Sequence, residues 1–180
     1  MTDSLLIVFG GLPGTGKTTL AQALSSLLKS VYLRIDTIEQ TLLRAQSIKE
    51  GHEGYLIAYA LAEDNLRRGN RVIADSVNSI PVTRNSWRDI AQRTGSRLIE
   101  IEIVCSDSKE HRRRIESHKA DIEGHKMPTW EEVVNCGYHP WATRNFTVDT
   151  SCPTIDEGFE DLVQQLDFEP PSTPSVALFA

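Results

Sequence analysis

One short stretch restricts this chain more than any other: Gly11-Leu-Pro-Gly-Thr-Gly16-Lys17-Thr18, lying between the apolar run Leu5–Phe9 and a segment of helical periodicity. It matches the P-loop pattern G-x-x-x-x-G-K-[ST] at every position. A loop that wraps a pyrophosphate must turn successive N–H groups inward. Gly11, Gly14 and Gly16 permit this because they tolerate positive φ and close approach. A helix beginning near Lys17 then aims its unsatisfied N–H groups and the positive end of its dipole at the same phosphates. Lys17 suits the β- and γ-phosphate oxygens, and the Thr18 hydroxyl suits Mg²⁺. The expected phosphate-contact set is Gly11, Pro13, Gly14, Thr15, Gly16, Lys17, Thr18 and Thr19.

The rest of the chain alternates strands and helices. Leu5–Phe9 reads as a strand buried on both faces, and Thr18–Leu28 as a helix with one apolar face. Val31–Ile35 is a second short strand, followed by a helix over Thr37–Arg44. Tyr55–Arg68 is a helix ending at Gly69, and Arg71–Ala74 a strand running into Asp75. Pro81–Arg93 is helical, with proline where the first turn tolerates it. Arg97–Val104 is a fourth strand, in which Glu100 and Glu102 alternate with apolar neighbours and predict a more exposed face. Lys109–Lys119 and Thr129–Gly137 read as helices, Phe146–Val148 as a last strand and Thr154–Leu166 as a closing helix. Strands separated by helices imply parallel pairing, hence a three-layer α/β sandwich. Residues 167–180, with three prolines, read as a flexible tail beyond a single domain over 1–166.

Composition bounds the function. At 180 residues the chain has the length of one domain. With 39% hydrophobic and 24% charged residues it has the composition of a globular protein. Its longest apolar run is far short of the roughly 20 residues that span a bilayer, and no basic segment precedes that run as in a secretory signal. Cys105, Cys136 and Cys152 form no CxxC pair, which fits a reducing cytoplasm. The formal charge of −6 disfavours a long polyanionic partner such as nucleic acid.

Several residues carry candidate chemistry. Asp36 ends the second strand, at the sheet edge where ligands collect. There it can take the proton of an attacking hydroxyl, or it can N-cap the following helix with Glu39 in support. Asp75 ends an apolar strand, as a Walker-B carboxylate holding Mg²⁺ does and as many strand-to-turn aspartates do. Ser76 and Asn78 follow it and could orient a metal-bound water or touch the acceptor. Arg112, Arg113 and Arg114 form the densest basic region and can either meet phosphate or pair with Glu110 and Glu116 on a solvated helix. Gly124 sits in a bridge suited to a moving lid. Trp130, Tyr138, His139 and Trp141 line an acceptor pocket or form the lid's own core. His125 and His139 lack partners at metal spacing, leaving Mg²⁺ as the expected metal, on Thr18 and Asp75.

In this order, over roughly residues 4–166, the motifs resemble the small P-loop kinases related to polynucleotide 5′-hydroxyl kinase, chloramphenicol phosphotransferase, zeta toxin and seryl-tRNA kinase, a group that also carries the AAA-type ATPase label. The resemblance implies a parallel five-stranded sheet in order 2-3-1-4-5 with a helical lid over about 106–141. It implies that Lys17 and Thr18 contact phosphate and Mg²⁺, and that Asp36 activates the acceptor hydroxyl. Arg114 matches the first of two lid arginines spaced i, i+4, and the second position is His118 here, which leaves open whether Arg112, Arg113 or His118 completes the lid. The loop from Asp149 through Thr150 to Pro153 falls where such kinases pack the purine. The expected activity is transfer of the γ-phosphoryl group of ATP, with Mg²⁺, to a hydroxyl of a small molecule. Lys17, Asp36 and Arg114 are the expected catalytic residues. A polynucleotide or nucleoside hydroxyl kinase, or a nucleotide-binding regulatory or toxin-like NTPase, are the rival readings.

Overall fold

The computed structural model describes residues 4–46, 52–117, 120–151 and 155–166. Strands β1 (Leu5–Gly10), β2 (Val31–Arg34), β3 (Arg71–Asp75), β4 (Arg97–Val104) and β5 (Phe146–Asp149) form one sheet in the order β2-β3-β1-β4-β5, as expected. All four pairings are parallel. Between the strands run α1 (Lys17–Leu28), α2 (Ile35–Arg44), α3 (Glu53–Arg67), α4 (Pro81–Thr94), α5 (Ser108–Ser117), α6 (Trp130–Val134) and α7 (Ile155–Leu166).

Strand β1 lies at the centre of the sheet, and its side chains divide between two cores. Leu5, Ile7 and Phe9 join Leu20 and Leu24 of α1 and Leu162 of α7 on one face. Leu6 and Val8 face Ala58 and Ala62 of α3 and Trp87 and Ile90 of α4 on the other. Burial on both faces explains why β1 and β3 read as unbroken apolar runs.

Two local expectations are corrected. Helix α2 begins at Ile35, so Asp36 lies inside its first turn, and Arg34 occupies the N-cap position without a side-chain capping hydrogen bond. Asp36 is therefore not an N-cap. The polar alternation of β4 does not make an exposed face either: Glu100 and Glu102 are both buried. Arg88 pairs with Glu100 at 2.9 Å and Arg144 with Glu102 at 2.7 Å, so each buried carboxylate has a cation as partner. The short α6 starts as its sequence dictates, with Thr129 and Glu132 forming a reciprocal capping box.

Candidate active site

The turn between β1 and α1 has the geometry its glycines require. Gly11 has φ +140° and Gly14 φ +79°. A Cβ on Gly11 would stand 2.2 Å from the Ile103 carbonyl oxygen, and one on Gly14 would stand 2.6 Å from Ile115 Cδ1. Glycine is thus needed for shape as well as for dihedral angle. No side chain caps the start of α1, and the first amide of the helix to find a turn-spacing partner is that of Leu20, on Gly16 O. The amides of Lys17, Thr18 and Thr19 lie at the open N-terminal end of a 12-residue helix, the arrangement that receives phosphate.

The turn is braced from three directions. The Gly11 amide donates to Val77 O at 3.0 Å. The Thr150 hydroxyl donates to Thr15 O at 2.7 Å. His111, buried on α5, brings Nε2 to 2.7 Å from Pro13 O and therefore carries its proton there. Trp130 packs edge-on against the His111 ring, with centroids 5.2 Å apart.

These elements enclose a cavity of about 590 Å³. Pro13, Gly14, Gly16, Lys17, Thr18 and Thr19 line its P-loop side. Arg34 and Asp36 line the side formed by β2 and α2, and Arg113, Arg114, Asp121 and the stretch from His125 to Pro128 cover it. Lys17 and Asp36 therefore face one space although they are separated in sequence. Gly11, Thr15, Asp75 and Thr150 are not among the described lining residues; they lie behind that surface and support it.

Asp75 is buried, and its Oδ2 accepts a hydrogen bond from Tyr32 Oη at 2.6 Å. Burial first, and then the Asp75 charge, push the Tyr32 hydroxyl far above its ordinary value, so it stays a donor. Ser76 and Asn78 are also buried. Asn78 spends its side chain on Phe9 O at 2.7 Å and on Trp87 Nε1 at 3.2 Å, which makes it a structural residue.

The three arginines of α5 separate by environment. Arg112 pairs with Glu116 in solvent, and Arg113, at the cavity's covering side, pairs with the half-buried Glu110. Arg114 donates from Nε to Glu110, from Nη1 to Thr150 Oγ1 at 2.9 Å and from Nη2 to Thr150 O at 2.7 Å. It thereby joins the lid helix to the loop after β5 while still lining the cavity. His118, Cys152 and Pro153 lie outside the described residues.

Of the aromatic group, Trp141 serves packing, whereas His139 is exposed. Trp141 is buried against Gly10, where a Cβ would stand 2.2 Å from the indole. Arg84 lies between the rings of Tyr138 and Trp141. Sequence reasoning missed Arg34, although the argument that flagged Asp36, a charged group at the carboxyl end of a strand, applies to it equally. It also missed Asp121, His111 and Arg84, whose partners are remote in sequence.

Residues 6–135 match the model of an AAA domain family, AAA_33. The chain belongs to that family. No curated protein sequence matches it. Among solved structures it is similar to a protein from Chloroflexus aurantiacus J-10-fl taken for a kinase, with 23% identity and a TM-score of 0.72 over 92% of this chain and 97% of that one. It is similar to a gluconokinase from Sinorhizobium meliloti 1021, with 16% identity and a TM-score of 0.59 over 92% and 96% of the two chains. It is also similar to the Mycobacterium tuberculosis APS kinase, whose structure holds AMPPNP and APS, with 17% identity and a TM-score of 0.62 over 93% and 100%. At these identities the likeness establishes the fold alone. Among the described residues no helix is long and apolar enough to cross a membrane.

Proposed function

We propose that this protein is an ATP-dependent kinase that transfers the γ-phosphoryl group to a hydroxyl of a small molecule. The observation that carries the reading is that Lys17 and Thr18 of the P-loop share one cavity with Asp36. Phosphoryl transfer needs the donor held, charge stabilised and the nucleophile oriented, and these residues supply the groups for all three.

In this reading the P-loop amides and the Lys17 ammonium hold the β- and γ-phosphates. Asp36, about a third exposed and at the rim of β2, accepts the proton of the acceptor hydroxyl as that oxygen meets phosphorus. The donor set suits Mg²⁺: a threonine hydroxyl lining the cavity and an ionisable carboxylate, Asp75, fixed behind it by Tyr32. With Mg²⁺ held by Thr18 and Asp75, charge on the transferring group would be neutralised. Arg114 and Arg113 approach from the lid over about 106–141, and Arg114 is tied to Thr150, in the loop assigned to the purine. A gluconokinase and an APS kinase among the structural neighbours support a small acceptor. The negative formal charge supports it over a polynucleotide.

The test is incubation with γ-labelled ATP and a panel of sugars, sugar acids, nucleosides, antibiotics and oligonucleotide ends. A labelled small-molecule product is expected. In Asp36→Asn, transfer should fall by at least about 10², the range for losing a general base, with AMPPNP affinity nearly intact. Label released only as inorganic phosphate in every reaction would overturn the reading.

A further inference from the structure

The end of β2 places a guanidinium beside the carboxylate assigned to the acceptor hydroxyl. Arg34 Nη1 and Nη2 grip both oxygens of Asp121, at 2.6 and 3.0 Å, in the fork that arginine offers to a planar oxyanion. The two partners differ in setting. The Arg34 side chain is 13% exposed and rooted where β2 meets α2, whereas Asp121 is 50% exposed on the covering strap. The strap's next attachment is also solvent-exposed, a pair between Glu123 and Arg44 at 3.3 Å. Such exposed pairs contribute little net stability, so the strap is held weakly and the arginine firmly.

Arg34 is also incompletely satisfied. Its Nε is sealed from solvent and makes no hydrogen bond, and its paired carboxylate oxygen on that side is Asp36 Oδ2 at 3.9 Å. A buried donor left unmade is unfavourable, so this pairing is one the guanidinium can exchange for a better one. The cavity favours such an exchange: among the described residues, Lys17, Arg34, Arg113, Arg114 and Lys126 line it against Asp36 and Asp121, in a chain that is acidic as a whole. Location separates this cation from the nucleotide site. Strand β3 lies between β2 and the P-loop strand β1, so Arg34 stands about two strand spacings, roughly 10 Å, from the phosphate cradle.

We propose that Arg34 is the specificity-determining residue for the acceptor: it binds an oxyanion group, phosphate, sulfate or carboxylate, carried a few bonds from the accepting hydroxyl, and Asp121 is the internal carboxylate that competes for the same fork. The inference rests on the kinase reading and adds the acceptor's class, a small hydroxylated anion. An acceptor anchored on Arg34 has its hydroxyl beside Asp36, because the two side chains adjoin. Asp121 then leaves the fork, and the strap moves with it.

The test uses the full-length protein saturated with AMPPNP and Mg²⁺, so that the P-loop is filled, and titrates inorganic phosphate, sulfate and acetate by calorimetry. Asp121→Asn should tighten binding of at least one anion by about fivefold or more, and Arg34→Gln should weaken it by at least about tenfold. Arg34→Lys, which keeps the charge and loses the fork, should fall between wild type and Arg34→Gln and serves if the glutamine variant does not fold. AMPPNP affinity should stay within about twofold throughout. Anion binding indifferent to Arg34, or unimproved in Asp121→Asn, overturns this inference alone. Failure of the wild-type protein to bind AMPPNP overturns the kinase reading and this inference with it.

Discussion

His111 Nε2 and the carbonyl oxygen of Pro13 meet at 2.7 Å, joining the lid helix to the apex of the P-loop across 98 residues of sequence. The bond fixes the rim of the phosphate cradle from outside, and Trp130 holds the imidazole edge-on from its other side. His111→Phe keeps the ring and removes the donor. A net hydrogen bond contributes about 0.5–1.5 kcal/mol, so AMPPNP affinity measured by calorimetry should fall by roughly threefold to tenfold. Unchanged affinity would show that the cradle keeps its shape without the lid.

The two P-loop glycines should respond unequally to alanine. Both have positive φ, which strains alanine by about 1–3 kcal/mol. At Gly14 the new methyl meets the Ile115 side chain, which can rotate away; at Gly11 it meets the backbone carbonyl of Ile103 inside the sheet. Overpacking of that second kind adds about 1–3 kcal/mol. Urea denaturation should therefore rank Gly11→Ala below Gly14→Ala in stability, and equal midpoints would contradict the steric account.

Arg84 fastens the loop after α6 to the loop after β3. Its guanidinium donates to Asn78 O at 2.7 Å, Ser79 O at 3.3 Å, His139 O at 2.7 Å and Pro140 O at 3.0 Å. Removing it leaves the buried Asn78 carbonyl without that donor, at about 1–3 kcal/mol, and opens the part-buried bonds to His139 and Pro140. Arg84→Ala should lose at least about 2 kcal/mol in urea unfolding. Arg84→Lys, with a single ammonium in place of the fork, should recover only part of that.

Glu39 makes stability depend on pH. Burial first, then the Asp36 and Glu53 charges, push its carboxyl from 4.5 up to about 7. The folded state thus holds the proton more tightly than the unfolded chain. The resulting stabilisation is complete below about pH 4.5 and is lost as pH rises to about 7. Glu39→Gln escapes that loss, so its advantage over wild type should grow between pH 5 and pH 8. After discounting for partial exposure, the growth is on the order of 1 kcal/mol. A constant difference across this range in denaturant titrations would refute the assignment.

The P-loop, the parallel α/β sandwich and the placement of Asp75 at the end of its strand were all legible in the sequence, whereas Asp36 stands two residues past β2, in the first turn of α2. Each is written in neighbouring residues: glycine spacing sets the turn, an unbroken apolar run marks a strand covered on both faces, and a charge at a strand's carboxyl end stands where α/β sheets expose their ligands. The start of α2 was misplaced because Ile35 suits a strand as well as a helix, and only packing chose.

What the fold alone established is which distant charges meet. Glu100 and Glu102 look like surface residues in a row of isoleucines, and they are buried because Arg88 and Arg144 arrive from elsewhere to neutralise them. Arg34 and Asp121 are 87 residues apart, and nothing in either neighbourhood announces the other. Local backbone preference acts over a few residues and leaves a pattern in the chain. A charge pair acts through space, so it exists only once the strand order has brought its two partners to the same edge of the sheet.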